Sequence, residues 1–303
     1  MEFQLPAQPG DALVGEYFAD EQIPRAFIKT KAQQEDTLLD VARRFDAGQT
    51  EILLLNPDVD RWLPGQGTEV KILNRRLLPK APRQGVVINL PEYRLYYYRR
   101  HDASIVTHPI SVGRLDWNTP LGKTRIVAKT ENPTWTPPAS IKKEHAERGD
   151  MLPNVVPAGP DNPLGLFAMR LGIPGYLIHS TNKPYGVGMS VTHGCIRMYP
   201  EDIERLFPDI PVGTDVYLVN QPIKLGWHQG RLFIEVHPLL DNQPWPYLER
   251  LNSALDLLAE ANEGVLPVVN GARLKAILNR ANGVPEMIYQ RPVTEQPPSS
   301  PAL

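Results

Sequence analysis

The abundance of proline limits the architectures open to this chain more than any other feature of the sequence. Of the 303 residues, 32 are proline, which is twice the usual share of about 5%. Proline lacks a backbone N–H and disrupts helix interiors, so it favours turns, extended strands and connecting segments over a helical bundle. We therefore expect a mainly β protein with short helices, long enough for two or three domains of about 100–200 residues each.

Charge and cysteine content exclude several classes of function. A formal net charge of -2 gives no electrostatic basis for binding nucleic acid or an anionic membrane surface. No apolar run approaches the roughly 18 residues of a membrane-spanning helix, and the first six residues lack the pattern of a signal peptide. The single cysteine, Cys195, excludes an internal disulfide and a multi-cysteine metal site. This cysteine is therefore explained either by packing or by reactivity.

Residues 25–76 are predicted to form a small βααβ domain. The predicted order is a strand at 27–30, a helix at 37–45, a helix at 50–55 and a strand at 69–73. Asp36 is the predicted N-cap of the first helix. Prolines and basic residues at 78–84 predict a linker to the next domain.

Residues 85–221 have the pattern of short strands and turns that is typical of a β-sandwich or a partly open barrel. A hairpin is predicted at 86–98. Residues 131–156 carry repeated prolines and Trp135 with little periodicity, which predicts a functional loop such as a lid. Residues 222–303 predict a helical C-terminal extension with one strand, two helices and a Pro/Ser tail from residue 292.

The residues with reactive chemistry concentrate around Cys195. Gly194 allows a tight turn that brings amide N–H groups close to an incoming carbonyl. His179 ends a predicted strand, and an imidazole touching the thiol would stabilise the attacking thiolate. A buried inert cysteine and a zinc site with His179 and His193 as further ligands are the alternatives. The polar and glycine-rich flanks favour the nucleophile.

The segment Thr192-His193-Gly194-Cys195-Ile196-Arg197, with His179 before it, resembles the signature of the YkuD-type L,D-transpeptidase catalytic domain. Segments 118–122 and 132–137 are also similar to turns and the lid region of that family. In the N-terminal domain, Asp36-Thr37-Leu38, Val41-Ala42, Asn56-Pro57 and Pro64-Gly65-Gln66 resemble the LysM module, which binds peptidoglycan or chitin; Glu35 stands where that module usually has glycine. The combination is similar to the periplasmic subgroup from Gram-negative bacteria.

This resemblance implies a reaction on peptidoglycan that needs no cofactor or metal. Cys195 would attack the carbonyl of the third residue of a tetrapeptide stem and expel D-alanine. His179 would act as base and then as acid, oriented by the carbonyl of Ser180. Backbone N–H groups of His193, Gly194 and Cys195 would form the oxyanion hole. The acceptor would be an amine of a neighbouring stem, giving a 3→3 cross-link, or a lysine of an outer-membrane lipoprotein, and a carbapenem would acylate the same thiol.

The substrate-binding residues are predicted with alternatives left open. They are Arg197, Thr192, Ser190, Tyr185, Met189 and Trp135. Arg197 fits either a clamp for a stem carboxylate or a structural salt bridge. His193 fits a structural or oxyanion-hole role better than that of a second base. Trp135 fits a lid.

Three other functional classes are alternatives to this interpretation. Papain-like and NlpC-like enzymes place cysteine before histidine, and sortases separate the two much further, so their order and spacing differ from those found here. An L,D-carboxypeptidase or peptidoglycan hydrolase would use the same fold with water as acceptor. A non-catalytic peptidoglycan-binding scaffold would be expected to lose His179 or Cys195. A peptidoglycan substrate implies a periplasmic location, with the export signal absent from this sequence.

Overall fold

A computed structural model describes residues 1–8, 10–18, 21–114 and 119–292. Residue 118 of the predicted turn and residues 293–303 of the predicted tail lie outside this range. The helices are α1 (Leu38–Arg44), α2 (Gln49–Leu55), α3 (Ala139–Glu147), α4 (Pro200–Asp209), α5 (Tyr247–Ala261) and α6 (Gly271–Arg280). The strands are β1 (Glu2–Gln4), β2 (Leu13–Gly15), β3 (Phe27–Lys31), β4 (Glu69–Leu73), β5 (Arg75–Leu77), β6 (Gly85–Asn89), β7 (Arg94–Tyr98), β8 (Ser104–Gly113), β9 (Gly122–Glu131), β10 (Phe167–Leu171), β11 (Leu177–His179), β12 (Ser190–Thr192), β13 (Ile196–Met198), β14 (Asp215–Val219), β15 (Ile223–His228), β16 (Arg231–Val236) and β17 (Glu286–Gln290). The prediction of a mainly β protein is confirmed.

The centre of the molecule is a sheet that closes on itself. Its strands follow the order β8-β13-β11-β10-β9-β14-β6-β7, and β7 pairs again with β8. Closure is possible because β8 is long: Ser111 and Ile110 pair with β13, while residues 105–109 pair with β7. Apolar side chains from these strands and from α4 form one buried core inside. The ring is therefore closed, where the sequence predicted a sandwich or a partly open barrel.

The N-terminal domain has the predicted order of strand, two helices and strand, with β3 and β4 antiparallel. The N-cap of α1 is Thr37, not Asp36. Thr37 and Asp40 form a capping box, in which each side chain accepts a hydrogen bond from the other residue's backbone N–H. Glu35, two residues before Thr37, has a left-handed φ of 69°. This turn directs the Asp36 carboxylate back to the N–H of Gln33.

Residues 78–84 connect this domain to the barrel but are not a free tether. Leu78 is buried, and its N–H donates to the carbonyl of Ala12 at 2.8 Å. At the start of α2, the N–H groups of Gln49 and Thr50 donate to the carbonyls of Val187 and Gly188, at 3.0 and 3.2 Å. The N-terminal domain therefore rests directly on the loop that leads to Cys195.

The C-terminal extension is fastened to the barrel by a buried ion cluster. Strands β15, β16 and β17 form an antiparallel sheet packed against α5 and α6. The ammonium of Lys224 lies 2.7 Å from Glu92 of the barrel and 2.6 Å from Glu235 of β16, and these side chains are at most 1% exposed. In the described ranges, no helix combines the length and apolar character that crossing a membrane requires.

Candidate active site

Two neighbouring strands place the reactive residues on one face of the barrel sheet. Strands β11 and β13 are parallel, with His179 opposite Arg197. Side chains alternate along a strand, so Cys195, two residues before Arg197, faces the same side. All three side chains line one cavity of about 350 Å³. The cysteine and histidine predicted from the sequence are thus brought to a single concave site.

The turn that carries Cys195 is fixed by two threonines. Gly194 has a φ of 101°, a conformation that glycine adopts without strain. The Thr192 hydroxyl donates to the carbonyl of Cys195 at 2.6 Å and accepts the N–H of Gly194 at 3.2 Å. The Thr119 hydroxyl donates to the carbonyl of Gly194 at 3.0 Å. The Gly194 N–H is therefore engaged within the turn by the Thr192 hydroxyl.

The tautomer of His179 follows from its hydrogen bond. Its Nδ1 lies 2.6 Å from the carbonyl of Ser180, which can only accept, so Nδ1 carries the proton and Nε2 is left as the basic nitrogen. Burial, assisted by the charge of Arg197, lowers the pKa of His179 to about 3. The imidazole is therefore neutral at physiological pH.

The thiol of Cys195 is also held in its neutral form. Burial raises its pKa, against the opposing effects of the Leu177 backbone and the Arg197 charge. The sulfur lies 3.6 Å from the carbonyl oxygen of Gly175. Burial therefore favours the neutral form of both the thiol and the imidazole.

The Arg197 side chain faces the cavity. In the described part of the chain, no carboxylate forms an ion pair with its guanidinium, whose Nε is buried without a hydrogen-bond acceptor. The alternative of a structural salt bridge therefore finds no support. The charge of Arg197 acts on Cys195 and on His179.

The side chain of His193 is held by the lid. Its Nε2 lies 2.6 Å from Oε2 of Glu144, a residue of α3. Arg114, at the end of β8, donates to both carboxylate oxygens of Glu144 at 3.1 Å. Hydrogen bonds from His193 and Arg114 lower the pKa of Glu144 to about 2. His193 is thus part of an ionic cluster at the rim of the cavity.

The proline-rich segment predicted as a lid does cover this cavity, but it has structure of its own. It contains α3, and Trp135 and Val156 exchange two backbone hydrogen bonds of 2.9 and 2.8 Å. The buried side chain of Asn162 donates to the carbonyl of Pro133 at 2.8 Å and so closes the base of the segment. Trp135 itself lines the cavity.

Three predicted pocket residues lie elsewhere. Thr192 lines the cavity, but Tyr185, Met189 and Ser190 are not among its lining residues. The Tyr185 side chain is 61% exposed, Met189 contacts the amide of Gln49, and Ser190 donates to a carbonyl of β8. The loop that carries them contacts the start of α2 through the carbonyls of Val187 and Gly188.

The zinc alternative has no geometric support. Groups with three converging acidic or histidine ligand atoms occur in the described ranges at Asp46, His108 and Asp202 and at Glu92, Glu235 and His237. The ligand atoms of Cys195, His179 and His193 do not converge in this way. In the second group, the ammonium of Lys224 contacts both carboxylates.

Three residues of the site were not predicted from the sequence: Thr119, Arg114 and Glu144. Thr119 lies in a segment recognised as a turn, which was the one available signal. The other two meet His193 only through the folding of distant segments, and no local pattern marks them.

Comparison with known proteins identifies similar chains over nearly the whole length. Residues 83–218 match the YkuD family model, described as the L,D-transpeptidase catalytic domain. The probable L,D-transpeptidase YcfS of Escherichia coli K12 is 38% identical over 265 residues, 84% of this chain and 81% of that protein. The probable L,D-transpeptidase ErfK/SrfK of the same organism is 34% identical over 293 residues, 94% of this chain and 90% of that protein. A solved catalytic domain from the E. faecium L,D-transpeptidase, with 21% identity and a TM-score of 0.34, covers 46% of this chain and 100% of that one.

Proposed function

This chain belongs to the L,D-transpeptidase family, and from that membership we propose that it transfers peptidoglycan tetrapeptide stems to an amine through a thioester on Cys195. The observation that carries the proposal is the convergence of Cys195, His179 and Arg197 on one cavity. The tautomer of His179, fixed by Ser180, leaves a basic nitrogen for the thiol proton.

Acylation starts from the neutral pair. As the sulfur attacks the carbonyl of the third stem residue, its proton passes to Nε2 of His179. The tetrahedral oxyanion is stabilised by backbone N–H groups of the turn, among which we assign the main role to Cys195, since the N–H of Gly194 is engaged by Thr192. The C–N bond to the terminal D-alanine then breaks, and the imidazolium returns the proton to the departing amine. The products are a thioester and free D-alanine.

Deacylation runs the same steps in reverse with a new amine. The acceptor nitrogen attacks the thioester, His179 removes its proton, and the thiol of Cys195 is regenerated. An amine of a neighbouring stem gives a 3→3 cross-link, and a lipoprotein lysine gives an anchored protein. Both products fit a periplasmic enzyme.

The N-terminal domain, residues 25–76, is assigned to glycan binding on its resemblance to LysM. Its contacts add a second role. The amides of Gln49 and Thr50 hold the carbonyls of Val187 and Gly188 on the loop that precedes the catalytic turn. We therefore assign to this domain the positioning of that loop as well as the capture of glycan strands.

Incubation with a purified disaccharide tetrapeptide, followed by mass spectrometry, tests the proposed reaction. A cross-linked dimer together with free D-alanine is the expected result. Free D-alanine without a dimer would identify an L,D-carboxypeptidase instead. Unchanged substrate, with the protein folded, would overturn the catalytic assignment and leave a peptidoglycan-binding scaffold.

A further inference from the structure

An internal carboxylate occupies a cationic position beside the catalytic turn. Glu144 of the lid helix α3 lies 2.6 Å from Nε2 of His193 and 3.1 Å from Nη2 of Arg114. Arg148 on the same helix donates to it as well, at 2.5 Å. This geometry is that of a bound carboxylate ligand, with a guanidinium and an imidazole as its donors.

The cluster is placed where a substrate would reach it. His193 lines the cavity that contains Cys195 and lies two residues before the sulfur. The Glu144 side chain is 20% exposed and that of Arg114 36% exposed, so solvent and ligands have access from the rim. Arg114 is not itself a lining residue, but its Nη2 lies 3.1 Å from Nε2 of His193. A carboxylate that displaced Glu144 at the rim would therefore meet the same two donors.

The element that carries Glu144 is weakly held. Helix α3 spans nine residues, and Ile141 is the one buried residue among them. Segments with few buried apolar contacts open at low free energy. The contacts of Glu144 with Arg114 and His193 link this helix to the catalytic turn, and a competing carboxylate can displace them.

We propose, resting on the function proposed above, that Arg114 and His193 form a subsite for a carboxylate of the stem peptide and that Glu144 fills this subsite until the peptide displaces it. Glu144 is then a built-in competitor. A tethered ligand acts at a high effective concentration, and the apparent dissociation constant of the peptide rises as the share of free subsite falls. The subsite selects anionic stems and keeps the lid closed in their absence.

The proposal predicts that substitutions of Glu144 and of Arg114 change the affinity for the stem peptide in opposite directions. Binding is measured by calorimetry on the 303-residue chain carrying Cys195→Ala, so that no turnover occurs during the measurement. The probes are the disaccharide tetrapeptide and its analogue with amidated carboxylates. Glu144→Gln removes the competing carboxylate. Because the subsite is then free, the tetrapeptide with free carboxylates is expected to bind about three- to tenfold more tightly. The matched control is Glu147→Gln on the same helix, which leaves the affinity unchanged.

Arg114→Gln removes the guanidinium of the subsite. It is expected to weaken binding of the tetrapeptide with free carboxylates (the acid form) by about tenfold or more, with little effect on the amidated analogue. Arg114→Lys keeps the charge and retains part of the preference, which separates a binding role from a structural one; melting temperatures check the fold. Equal effects of Arg114→Gln on both probes, no change on Glu144→Gln, or no binding of the acid form would each overturn the subsite. Because binding is measured without turnover, a failure of the transfer reaction alone would not produce these results.

Discussion

The contact between the N-terminal domain and the catalytic loop predicts a specific effect of Gly188→Ala. Gly188 has a φ of 92°, and a Cβ built on it would lie 2.5 Å from Cα of Gly48. Gly213 has a φ of 93° but open space around the corresponding position. The two glycines thus share the same backbone strain and differ in steric contact, so Gly213→Ala is a matched control.

The magnitudes follow from these two terms. Left-handed backbone makes alanine unfavourable by about 1–2 kcal/mol at either position. Overpacking against rigid backbone adds about 1–3 kcal/mol at Gly188 alone. Gly188→Ala should therefore lose about 2–5 kcal/mol of stability, and the control about 1–2 kcal/mol.

Activity separates the two variants more sharply than stability. A shift of about 1 Å in the loop before Thr192 lowers the rate by about 10²-fold, since reacting groups must be positioned within a fraction of an ångström. The assays are urea unfolding and the rate of D-alanine release from a soluble tetrapeptide. Equal losses of stability, with full activity in Gly188→Ala, would refute a functional contact. By the same reasoning, deletion of residues 25–76 should impair activity on soluble stems, which a freely tethered module would spare.

Three further predictions concern titratable groups removed from solvent. Lys224→Met leaves Glu92 and Glu235 without their cation and should reduce stability by about 3–5 kcal/mol in urea unfolding; a loss below 1 kcal/mol would mean that water reaches the cluster. Burial lowers the pKa of His179 to about 3, below the usual value of about 6.5, so the stability gained by staying neutral is fully present above pH 6.5 and is lost as the pH falls towards 3. In a plot of the free energy of unfolding against pH, His179→Gln should therefore reduce the slope between pH 3 and 6.5 by about 1.4 kcal/mol per pH unit. Parallel curves for the variant and the unmodified protein would contradict a buried neutral imidazole. Because burial raises the pKa of Cys195, its alkylation by iodoacetamide should keep increasing beyond pH 9, whereas a plateau near pH 7 would indicate a preformed thiolate.

Features encoded in contiguous residues were predicted correctly from the sequence. The hairpin of β6 and β7 depends on local turn chemistry and spacing. The family resemblance, carried by residues 192–197, is confirmed by the relatives. Short motifs specify such features because the residues that determine them are neighbours in the chain.

Features that depend on distant partners were missed. Strands β1 and β2 have three residues each and exist through pairing with β8 and β5. Helix α3 buries a single side chain, so it has no apolar periodicity to detect. The neutral state of Cys195 and His179 reflects burial, which arises only when the lid and barrel are assembled.

A thioester on Cys195 is best detected by intact-mass analysis of acid-quenched protein after incubation with the disaccharide tetrapeptide. Mapping of the modified peptide then locates the adduct. The proposed thioester predicts one adduct per chain, equal in mass to the donor minus D-alanine, on the peptide that contains Cys195 and absent from Cys195→Ala. Release of D-alanine by Cys195→Ala at the unmodified protein's rate, or an adduct on another residue in the unmodified protein, would contradict it.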